Sequence, residues 1–412
     1  MAKSLPVSPL APERFPKIPP VRGARWASLP AGLRYHGRDD LMLLEVAPGS
    51  SVAGVLTRST TAGHPVLWCR AVLPRGRARA AIVNAGNANV FRGAEGDAAV
   101  RAEAEAVAGA LGCAPEEVLV ASTGVIGERL PVERITAKVP ELVEALRADG
   151  IGPAARAIMT TDTFPKGAFA TAEIDGAAVT IAGIAKGSGM IAPDMATMLA
   201  FVVTDAAIAP PALQALLAAG ADRSFNAITV DSDTSTSDTL LLLATGAAGH
   251  RPLTATDDPR LAGFVNALDA VLLDLALQVV RDGEGAQKLV GVTVRGATDA
   301  GSARRMGLAI ANSPLVKTAI AGGDANWGRV VMAVGKSGEP VDLGRLGVAF
   351  GGHAVARDGA AVADLDERPV ALHLRGREVD IEVTVGAGPG EARVWTCDLT
   401  HGYIDINADY RS

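Results

Sequence analysis

Cysteine and aromatic residues are scarce in this 412-residue chain. Aromatics make up 4% of it, and the three cysteines are Cys69, Cys113 and Cys397. They form no metal-binding spacing and no disulfide framework. An odd, sparse set of cysteines is typical of proteins in a reducing compartment, so we expect a cytoplasmic location.

Dense positive charge is also missing. The net charge of -6 and the lack of a Lys/Arg block argue against a nucleic-acid-binding surface. The six histidines are scattered without paired spacing, so we predict no metal. Asp231, Asp233 and Asp238 could suggest a metal loop, but this run lacks the glycine and terminal glutamate of a calcium loop. We interpret it as a turn that braces a site through hydrogen bonds.

Long apolar runs and a targeting pattern are missing as well. No apolar run reaches the roughly 18 residues that a membrane span needs. The N-terminal region is rich in proline between Pro6 and Pro20, whereas a signal peptide has a basic segment followed by an apolar one. The sequence therefore predicts neither a membrane anchor nor a signal peptide.

Aliphatic residues are abundant. Hydrophobic residues make up 49% of the chain, and with so few aromatics the core must consist of Ala, Val, Leu and Ile. This composition favours a layered α+β or α/β protein in which helices cover sheets. Helices are predicted at 97–111 and from 259 to about 281, and strands at 330–334 and 370–374.

Thr197 stands between a loop broken by glycine and proline and the apolar run 198–203. Cleavage between Ala196 and Thr197 would give Thr197 a free α-amine, an established base for a threonine nucleophile. Such an amine titrates at about 7.7–8.0, so it is partly neutral near ambient pH. A threonine beside an apolar strand is more often packing or turn chemistry, and the neighbouring residues must decide between the two readings.

Residues 186–201 resemble the processing site of the ornithine acetyltransferase family, also called glutamate N-acetyltransferase, of arginine biosynthesis. Other blocks resemble the motifs of that family in the same order along the chain. These blocks are residues 121–127, 159–163, 230–236, 281–286, 313–319, 326–329 and 407–412. Together they are far more specific than any one block alone.

The resemblance implies a four-layer αββα fold and a precursor that cuts itself into an alpha chain, 1–196, and a beta chain, 197–412. Two copies of each chain would form a heterotetramer. Thr197 would take the acetyl group from N2-acetylornithine and pass it to glutamate by a ping-pong mechanism, without a cofactor. Some family members also use acetyl-CoA, a choice that the sequence leaves open.

The same resemblance assigns roles to individual residues. The Thr123 hydroxyl and the Gly124 N–H would form the oxyanion hole. The Lys186 ammonium could pair with a substrate carboxylate, and Glu284 could receive the ornithine ammonium. The substrate contacts implied by the resemblance are Thr160, Lys186, Thr197, Glu284, Asn407 and Ser412.

Plainer readings of these residues remain open. Thr123 and Gly124 could form an ordinary turn, Lys186 could lie on the surface, and Glu284 could be a solvated loop carboxylate. Two other functions also compete: a self-cleaving aminopeptidase or amidohydrolase that passes the acyl group to water, and a binding protein that is never processed. Trp327 and Arg329 are expected to be structural, at a chain–chain interface.

Overall fold

The structure, a computed structural model, describes residues 6–192 and 198–408. Its strands are β1 (Ala24–Leu29), β2 (Leu41–Val46), β3 (Ser51–Leu56), β4 (Ala80–Asn87), β5 (Val118–Val125), β6 (Lys166–Ile174), β7 (Ala177–Lys186), β8 (Leu199–Thr204), β9 (Thr239–Ala244), β10 (Leu289–Ala297), β11 (Gly347–Phe350), β12 (His353–Arg357), β13 (Ala360–Ala361), β14 (Glu378–Thr384) and β15 (Gly390–Cys397). Its α-helices are α1 (His64–Val72), α2 (Gly93–Leu111), α3 (Val132–Glu144), α4 (Ile151–Ala157), α5 (Pro210–Arg223), α6 (Ala262–Arg281), α7 (Ala300–Ala311), α8 (Pro314–Gly322), α9 (Trp327–Lys336), α10 (Glu367–Leu374) and α11 (His401–Ala408).

The chain forms two compact units. The larger unit comprises Glu13–Asn226 and Asp233–Val279. The smaller unit comprises the N-terminal residues up to Pro12, the segment Ala227–Ser232, and the chain from Val280 onward. The predicted division into fragments 1–196 and 197–412 concerns cleavage of the chain rather than compactness, and it stays a prediction.

The larger unit contains two β-sheets that pack face to face. Their strand orders are β1-β2-β4-β5 and β3-β9-β8-β7-β6. Side chains alternate along β2: Met42 and Leu44 join the core between the two sheets, whereas Leu41 and Leu43 pack with α2 and α3. The first sheet is therefore covered by helices on one face and by the second sheet on the other.

Helix α6 covers the outer face of the second sheet. Ala182 and Ile184 of β7 belong to the core between the sheets, so Gly183 faces the opposite way. A Cβ added to Gly183 would lie 3.0 Å from the Leu275 side chain of α6. Helices, two sheets and helices thus form the αββα layers that the resemblance implies, and the α+β fold class is confirmed.

Helix α6 is also the most apolar long helix described. The stretch Pro259–Arg281 is long and apolar enough, by length and composition alone, to cross a membrane. However, Phe264, Leu268 and Leu275 are at most 1% exposed within the protein. Such complete burial is typical of a core helix that packs against a sheet.

The smaller unit has one sheet, with strand order β13-β12-β11-β14-β10-β15. Its core joins Met306 of α7, Val330 of α9 and Val370 of α10 to the sheet residues Val292 and Ile381. Both β10–β15 and β11–β14 pair antiparallel, while β10 and β14 pair parallel. The sheet is therefore mixed and covered by helices.

Residues 330–334 form part of helix α9, so the predicted strand is wrong. The Asn326 side chain accepts a hydrogen bond from the Arg329 N–H, which caps the helix N-terminus. Val330, Ala333 and Val334 are the buried residues of this helix. Their spacing is that of a helix face, and tertiary packing overrides the strand preference of a valine-rich run.

Residues 370–374 were also predicted as a strand and lie in helix α10 instead. The Asp366 side chain accepts from the Arg368 N–H at 3.1 Å and caps the helix. Val370 and Leu374 are the buried residues, four positions apart. Residues four positions apart lie on the same face of a helix, which explains why both side chains are buried.

Candidate active site

Thr123 and Gly124 lie in the last residues of β5, where β5 pairs in parallel with β4. Gly124 has φ +133°, a conformation that residues with a side chain rarely adopt. A Cβ at this position would lie 2.2 Å from the backbone carbon of Gly86. The position therefore requires glycine, because two backbones approach closely there.

Lys186 ends β7 and is 3% exposed, so it is not a surface lysine. Its Nζ donates to the Thr160 hydroxyl at 2.7 Å and to the Thr123 hydroxyl at 3.2 Å. The hydroxyls of two predicted site residues, Thr123 and Thr160, thus converge on the ammonium group of a third, Lys186. Because both hydroxyl oxygens accept from Lys186, their own protons are directed elsewhere and can be donated to a ligand oxygen.

Asp162 is a member of this cluster to which the sequence assigned no role. One of its oxygens, Oδ1, accepts from Lys166 Nζ and from the Gly187 N–H, both at 2.7 Å. The other, Oδ2, accepts from the Thr160 N–H at 2.9 Å and lies 3.8 Å from Lys186 Nζ. Asp162 therefore connects the loop after α4 to the end of β7.

The charge of Asp162 follows from these contacts. Burial alone would raise its pKa, but the nearby charges of Lys166 and Lys186, together with hydrogen bonds, hold the pKa well below its usual range. Asp162 is therefore a carboxylate at neutral pH. A buried ammonium group is normally paired with a carboxylate. From the sequence, only this rule could have indicated that Lys186 has a partner such as Asp162.

Asp238 lies directly before β9 and is fully buried. Its Oδ1 accepts from the Met198 N–H at 2.8 Å. Burial raises the pKa of Asp238 well above its usual range, and neither the Met198 N–H nor the charge of Lys186 offsets this effect. The predicted hydrogen-bonding brace is thus present at Asp238, and the described residues include no grouping of three His, Cys, Asp or Glu side chains suited to a metal.

Glu284 and Asn407 belong to the smaller unit. Glu284 lies in the turn after α6 and is 7% exposed, so it is not a solvated carboxylate. The Asn407 side chain of α11 donates from Nδ2 to Glu284 Oε2 at 2.7 Å. Helix α11 is held close to this turn, since a Cβ on Gly285 would lie 2.5 Å from the Tyr403 nitrogen. The C-terminal helix is therefore docked on the Glu284 turn.

The other predicted site residues fall outside the described part of the chain. Ala196 and Thr197 precede Met198, the first residue described after 192, and Ser412 follows residue 408. Arg329 donates from Nη1 to the Leu315 carbonyl at 2.7 Å, which agrees with the structural role expected for it.

A half-open groove of 480 Å³ lies elsewhere in the larger unit, beside β3 and α5. Its lining includes Leu56, Arg70, Leu73, Pro210 and Gln214. None of the predicted site residues lines it. The groove is therefore separate from the hydroxyl and ammonium cluster described above.

A family model and full-length relatives match this chain. The model of the ArgJ family matches residues 25–412. The arginine biosynthesis bifunctional protein ArgJ of Gluconobacter oxydans is 58% identical over 412 residues, which is 100% of this chain and 97% of that protein.

Two solved structures are also similar to parts of the chain. The arginine biosynthesis bifunctional protein ArgJ from Bacillus halodurans is 41% identical, covering 51% of this chain and 98% of that chain, with a TM-score of 0.49. The ornithine acetyltransferase from Mycobacterium tuberculosis, complexed with ornithine, is 40% identical, covering 42% of this chain and 92% of that chain, with a TM-score of 0.38.

Proposed function

This chain belongs to the ArgJ family, and on that premise we propose that it transfers acetyl from N2-acetylornithine to glutamate through an acyl-enzyme on Thr197. The chain is an acyltransferase of arginine biosynthesis, as the family is. The observation that best supports the proposed chemistry is the convergence of Thr123, Thr160 and Lys186 on one buried point. Acyl transfer needs hydroxyl donors and a fixed positive charge at such a point.

The nucleophile in this proposal is the Thr197 hydroxyl, after cleavage of the Ala196–Thr197 bond. The hydroxyl oxygen attacks the acetyl carbonyl carbon, and the Thr197 α-amine takes the proton. The amide C–N bond then breaks, and the nitrogen of ornithine leaves with that proton. In the second half, the amino group of glutamate attacks the ester carbonyl carbon, and the α-amine carries its proton to the Thr197 oxygen. The ester C–O bond breaks, so that N-acetylglutamate leaves and the hydroxyl is restored.

The oxyanion of each tetrahedral intermediate would be held by the Thr123 hydroxyl and the Gly124 N–H. Lys186 supports this role, because its donation to Thr123 Oγ1 leaves the hydroxyl proton directed away from the ammonium. Preorganised donors of this kind typically contribute about 10²–10³ each to the rate.

Two groups of residues would bind the two ends of each substrate. The Lys186 ammonium and the Thr160 hydroxyl suit an α-carboxylate, which ornithine and glutamate share. The Glu284 carboxylate suits the side-chain ammonium of ornithine, and Asn407, whose Nδ2 donates to Glu284 Oε2 and to the Tyr403 carbonyl, would contact the substrate beside it. Ser412 and Thr197 complete the contacts that the resemblance implies.

We further propose that the alpha and beta chains remain together as a heterotetramer with two copies of each, in the cytoplasm. The three cysteines support the location, since all are free thiols. Acetyl-CoA is a second candidate donor, and it would enter the cycle by acetylating the same Thr197 hydroxyl.

Trapping of the acyl-enzyme tests the proposed function. The purified protein is mixed with N2-acetylornithine without glutamate, and the masses of its chains are followed together with released ornithine. We expect one acetyl group on the chain that begins at Thr197 and one equivalent of ornithine. Glutamate should then remove that acetyl group as N-acetylglutamate.

The rival functions give different results in the same experiment. A hydrolase would release ornithine continuously without glutamate and accumulate no stable acetyl-enzyme. A binding protein would release none and would remain a single chain. Either result would contradict the proposal.

A further inference from the structure

The segment 31–39 lies against the end of β4, beside the proposed oxyanion hole. Gly86 of β4 is the residue that pairs with Gly124 of β5. A Cβ added to Gly86 would lie 3.4 Å from the Tyr35 ring. Tyr35 is therefore a direct neighbour of the strand pair that carries Gly124.

This segment has a fixed course. The fully buried Asp40 carboxylate accepts from the Ala31 N–H at 2.6 Å and from the Leu33 N–H at 2.8 Å. Arg134 of α3 donates from Nη1 to the Gly32 carbonyl at 2.6 Å. The start of the segment is thus tied both to its own end and to a neighbouring helix.

Arg38 reaches from this segment to the residue before Thr160. Its guanidinium carbon lies 3.9 Å from the centroid of the Tyr35 ring, an arrangement that attracts a cation to the ring face. Its Nη2 donates to the Met159 carbonyl. The next residue, Thr160, accepts from Lys186 Nζ at 2.7 Å. Two positive charges are therefore held at consecutive residues of one loop.

Arg38 differs from the other half-buried arginines of the larger unit in having no counter-charge. Three other arginines of this unit are half-buried, and each of them pairs with a carboxylate. These pairs are Arg79–Glu45, Arg92–Glu95 and Arg260–Asp258. Within 6–192 and 198–408, Arg38 takes part in no ion pair, and its Nε is buried without a hydrogen-bond partner. A charge removed from water is normally paired, so a bound anion would supply what Arg38 lacks.

We propose that Arg38 is a substrate-binding residue, a second cationic contact for the α-carboxylate that N2-acetylornithine and glutamate share. The inference rests on the proposed function, in which Lys186 and Thr160 bind that carboxylate. A carboxylate has two oxygens and about four lone-pair sites, so it can accept from an ammonium and a guanidinium together. With Nη2 on the Met159 carbonyl and Nε buried, Nη1 presents the donors for this contact.

Two other anions could bind the same guanidinium, namely the side-chain carboxylate of glutamate and a phosphate of acetyl-CoA. The α-carboxylate is favoured because Arg38 and Lys186 contact consecutive residues, whose Cα atoms lie about 3.8 Å apart. Each of these anions belongs to a different set of substrates, so kinetics with several substrates distinguishes them.

Three variants test this role. Arg38→Gln removes the charge, and Arg38→Lys keeps it. Arg260→Gln is the matched control, since it removes a half-buried arginine that pairs with Asp258 and Asp175 instead. For each variant, Tm is measured, together with kcat and KM for N2-acetylornithine, glutamate and acetyl-CoA. Two analogues of glutamate serve as further acceptors: one carries an α-carboxamide, and the other, glutamine, carries a side-chain carboxamide.

We expect Arg38→Gln to raise KM for N2-acetylornithine and for glutamate about 10–100-fold, the loss typical of one charge-assisted hydrogen bond, with kcat little changed. Arg38→Lys should lie between this variant and the wild type, because an ammonium keeps the charge but not the planar fork. The α-carboxamide has no charge at that end, so Arg38→Gln should use it as well as the wild type does. If the wild type does not use this analogue, its inhibition constant against glutamate is compared instead.

Stability should separate Arg38 from the control. Arg38→Gln breaks no ion pair of the described residues, so its Tm should stay near that of the wild type. Arg260→Gln leaves two carboxylates without their partner and should lower Tm while every KM stays unchanged. If Arg38→Gln fails to fold, Arg38→Met takes its place, since it keeps an apolar stem over the Tyr35 ring.

Several results would overturn the inference. Unchanged KM values in Arg38→Gln would remove Arg38 from the site. A KM that rises for glutamate alone, with no further loss when glutamine is the acceptor, would assign it to the side-chain carboxylate, and one that rises for acetyl-CoA alone would assign it to a phosphate. Equal losses with glutamate and its α-carboxamide would leave Arg38 a structural role only. Failure of the proposed function is distinguishable, because the wild type itself would then transfer no acetyl group.

Discussion

The Lys186 ammonium needs charge partners because it is almost completely buried. A buried charge is unfavourable unless it is paired and hydrogen-bonded. Asp162 supplies the negative charge, and Lys166 contacts the same carboxylate more closely, at 2.7 Å against 3.8 Å for Lys186. Asp162 therefore helps to hold Lys186 between Thr123 and Thr160. It does so through the charge of its carboxylate and through the Thr160 N–H.

Asp162→Asn should strongly destabilise the protein, because two buried ammonium groups would lose their counter-charge. The expected loss in the free energy of unfolding is about 3–5 kcal/mol at pH 7. The pKa of Asp162 is lowered in the folded state, so its contribution is fully present above the unfolded pKa of about 3.9 and is lost as pH falls through the folded value. Urea unfolding at pH 7 and pH 3 should therefore show a smaller difference at pH 3.

Glu141→Gln is the control for that measurement. Glu141 accepts from Lys138 at 2.6 Å, but both side chains are largely exposed. Such a pair contributes about 0–1 kcal/mol, so the variant should unfold like the wild type at either pH. Equal effects of Asp162→Asn and Glu141→Gln would contradict the role given to Asp162.

Gly124→Ala tests the oxyanion hole. The backbone φ of +133° and the 2.2 Å approach to Gly86 both exclude a side chain, so the Gly124 N–H must shift. We expect kcat/KM to fall about 10²–10³-fold, as when one oxyanion donor is lost. Gly112→Ala, at φ +66° with open space around it, should cost stability of about 1–2 kcal/mol but leave kcat/KM unchanged. Equal activity in both variants would contradict the assignment.

The sequence predicted which residues form the site better than it predicted the residues that contact them. The resemblance brought Thr123, Thr160 and Lys186 together, and the structure places them within hydrogen-bonding distance. It assigned no role to Asp162 and only a general bracing role to the run containing Asp238. The contacts of these two carboxyl groups join segments that are distant in sequence, which spacing along the chain does not encode.

At the scale of elements, α9 and α10 show why local pattern was insufficient. Both carry short apolar runs that suit a buried strand equally well. The deciding features are the caps Asn326 and Asp366 and a buried face with helical spacing. By contrast, the predicted helices at 97–111 and 259–281 lie within α2 and the stretch Pro259–Arg281, because long periodic segments are less ambiguous.

Helix α2 carries a buried acid that should make stability depend on pH. Glu103 is fully buried, and neither of its carboxylate oxygens has a hydrogen-bond partner within the described chain. Burial raises its pKa to about 8. An unfolded glutamate titrates at about 4.3, so the native state keeps a proton that the unfolded chain releases. Stability should therefore decline as pH rises from about 4.3 to about 8.

Glu103→Gln removes this titration. Relative to the wild type, its free energy of unfolding should increase between pH 5 and pH 8, by up to about 1.4 kcal/mol for each pH unit. Glu105→Gln on the same helix is the control, because Glu105 is exposed and should show no such trend. Denaturant unfolding across this pH range measures the difference in the free energy of unfolding between each variant and the wild type. A difference between Glu103→Gln and wild type that does not change with pH would contradict the buried-acid account.

At the scale of the whole molecule, the predicted cut falls between two strands that are neighbours in one sheet. β7 ends at Lys186 and pairs antiparallel with β8, which begins at Leu199. In the same sheet, β3 pairs with β9. Cleavage between residues 196 and 197 would therefore leave strands of both chains joined by backbone hydrogen bonds and by the core between the two sheets.

The two chains should consequently stay together after cleavage. We expect them to elute as one species in native size-exclusion chromatography and to separate only in denaturant, because separation would expose the apolar faces of both sheets. Elution as two independent folded species without denaturant would contradict the layered arrangement of β7 and β8.

In the proposed mechanism, Thr197 becomes the nucleophile through cleavage of its own chain. Intact mass and N-terminal sequencing of the purified wild type and of Thr197→Ala are therefore the decisive measurement. We expect two wild-type chains, the second beginning Thr197-Met198-Leu199, and an uncut, inactive variant. An uncut wild type that still transfers acetyl would contradict it.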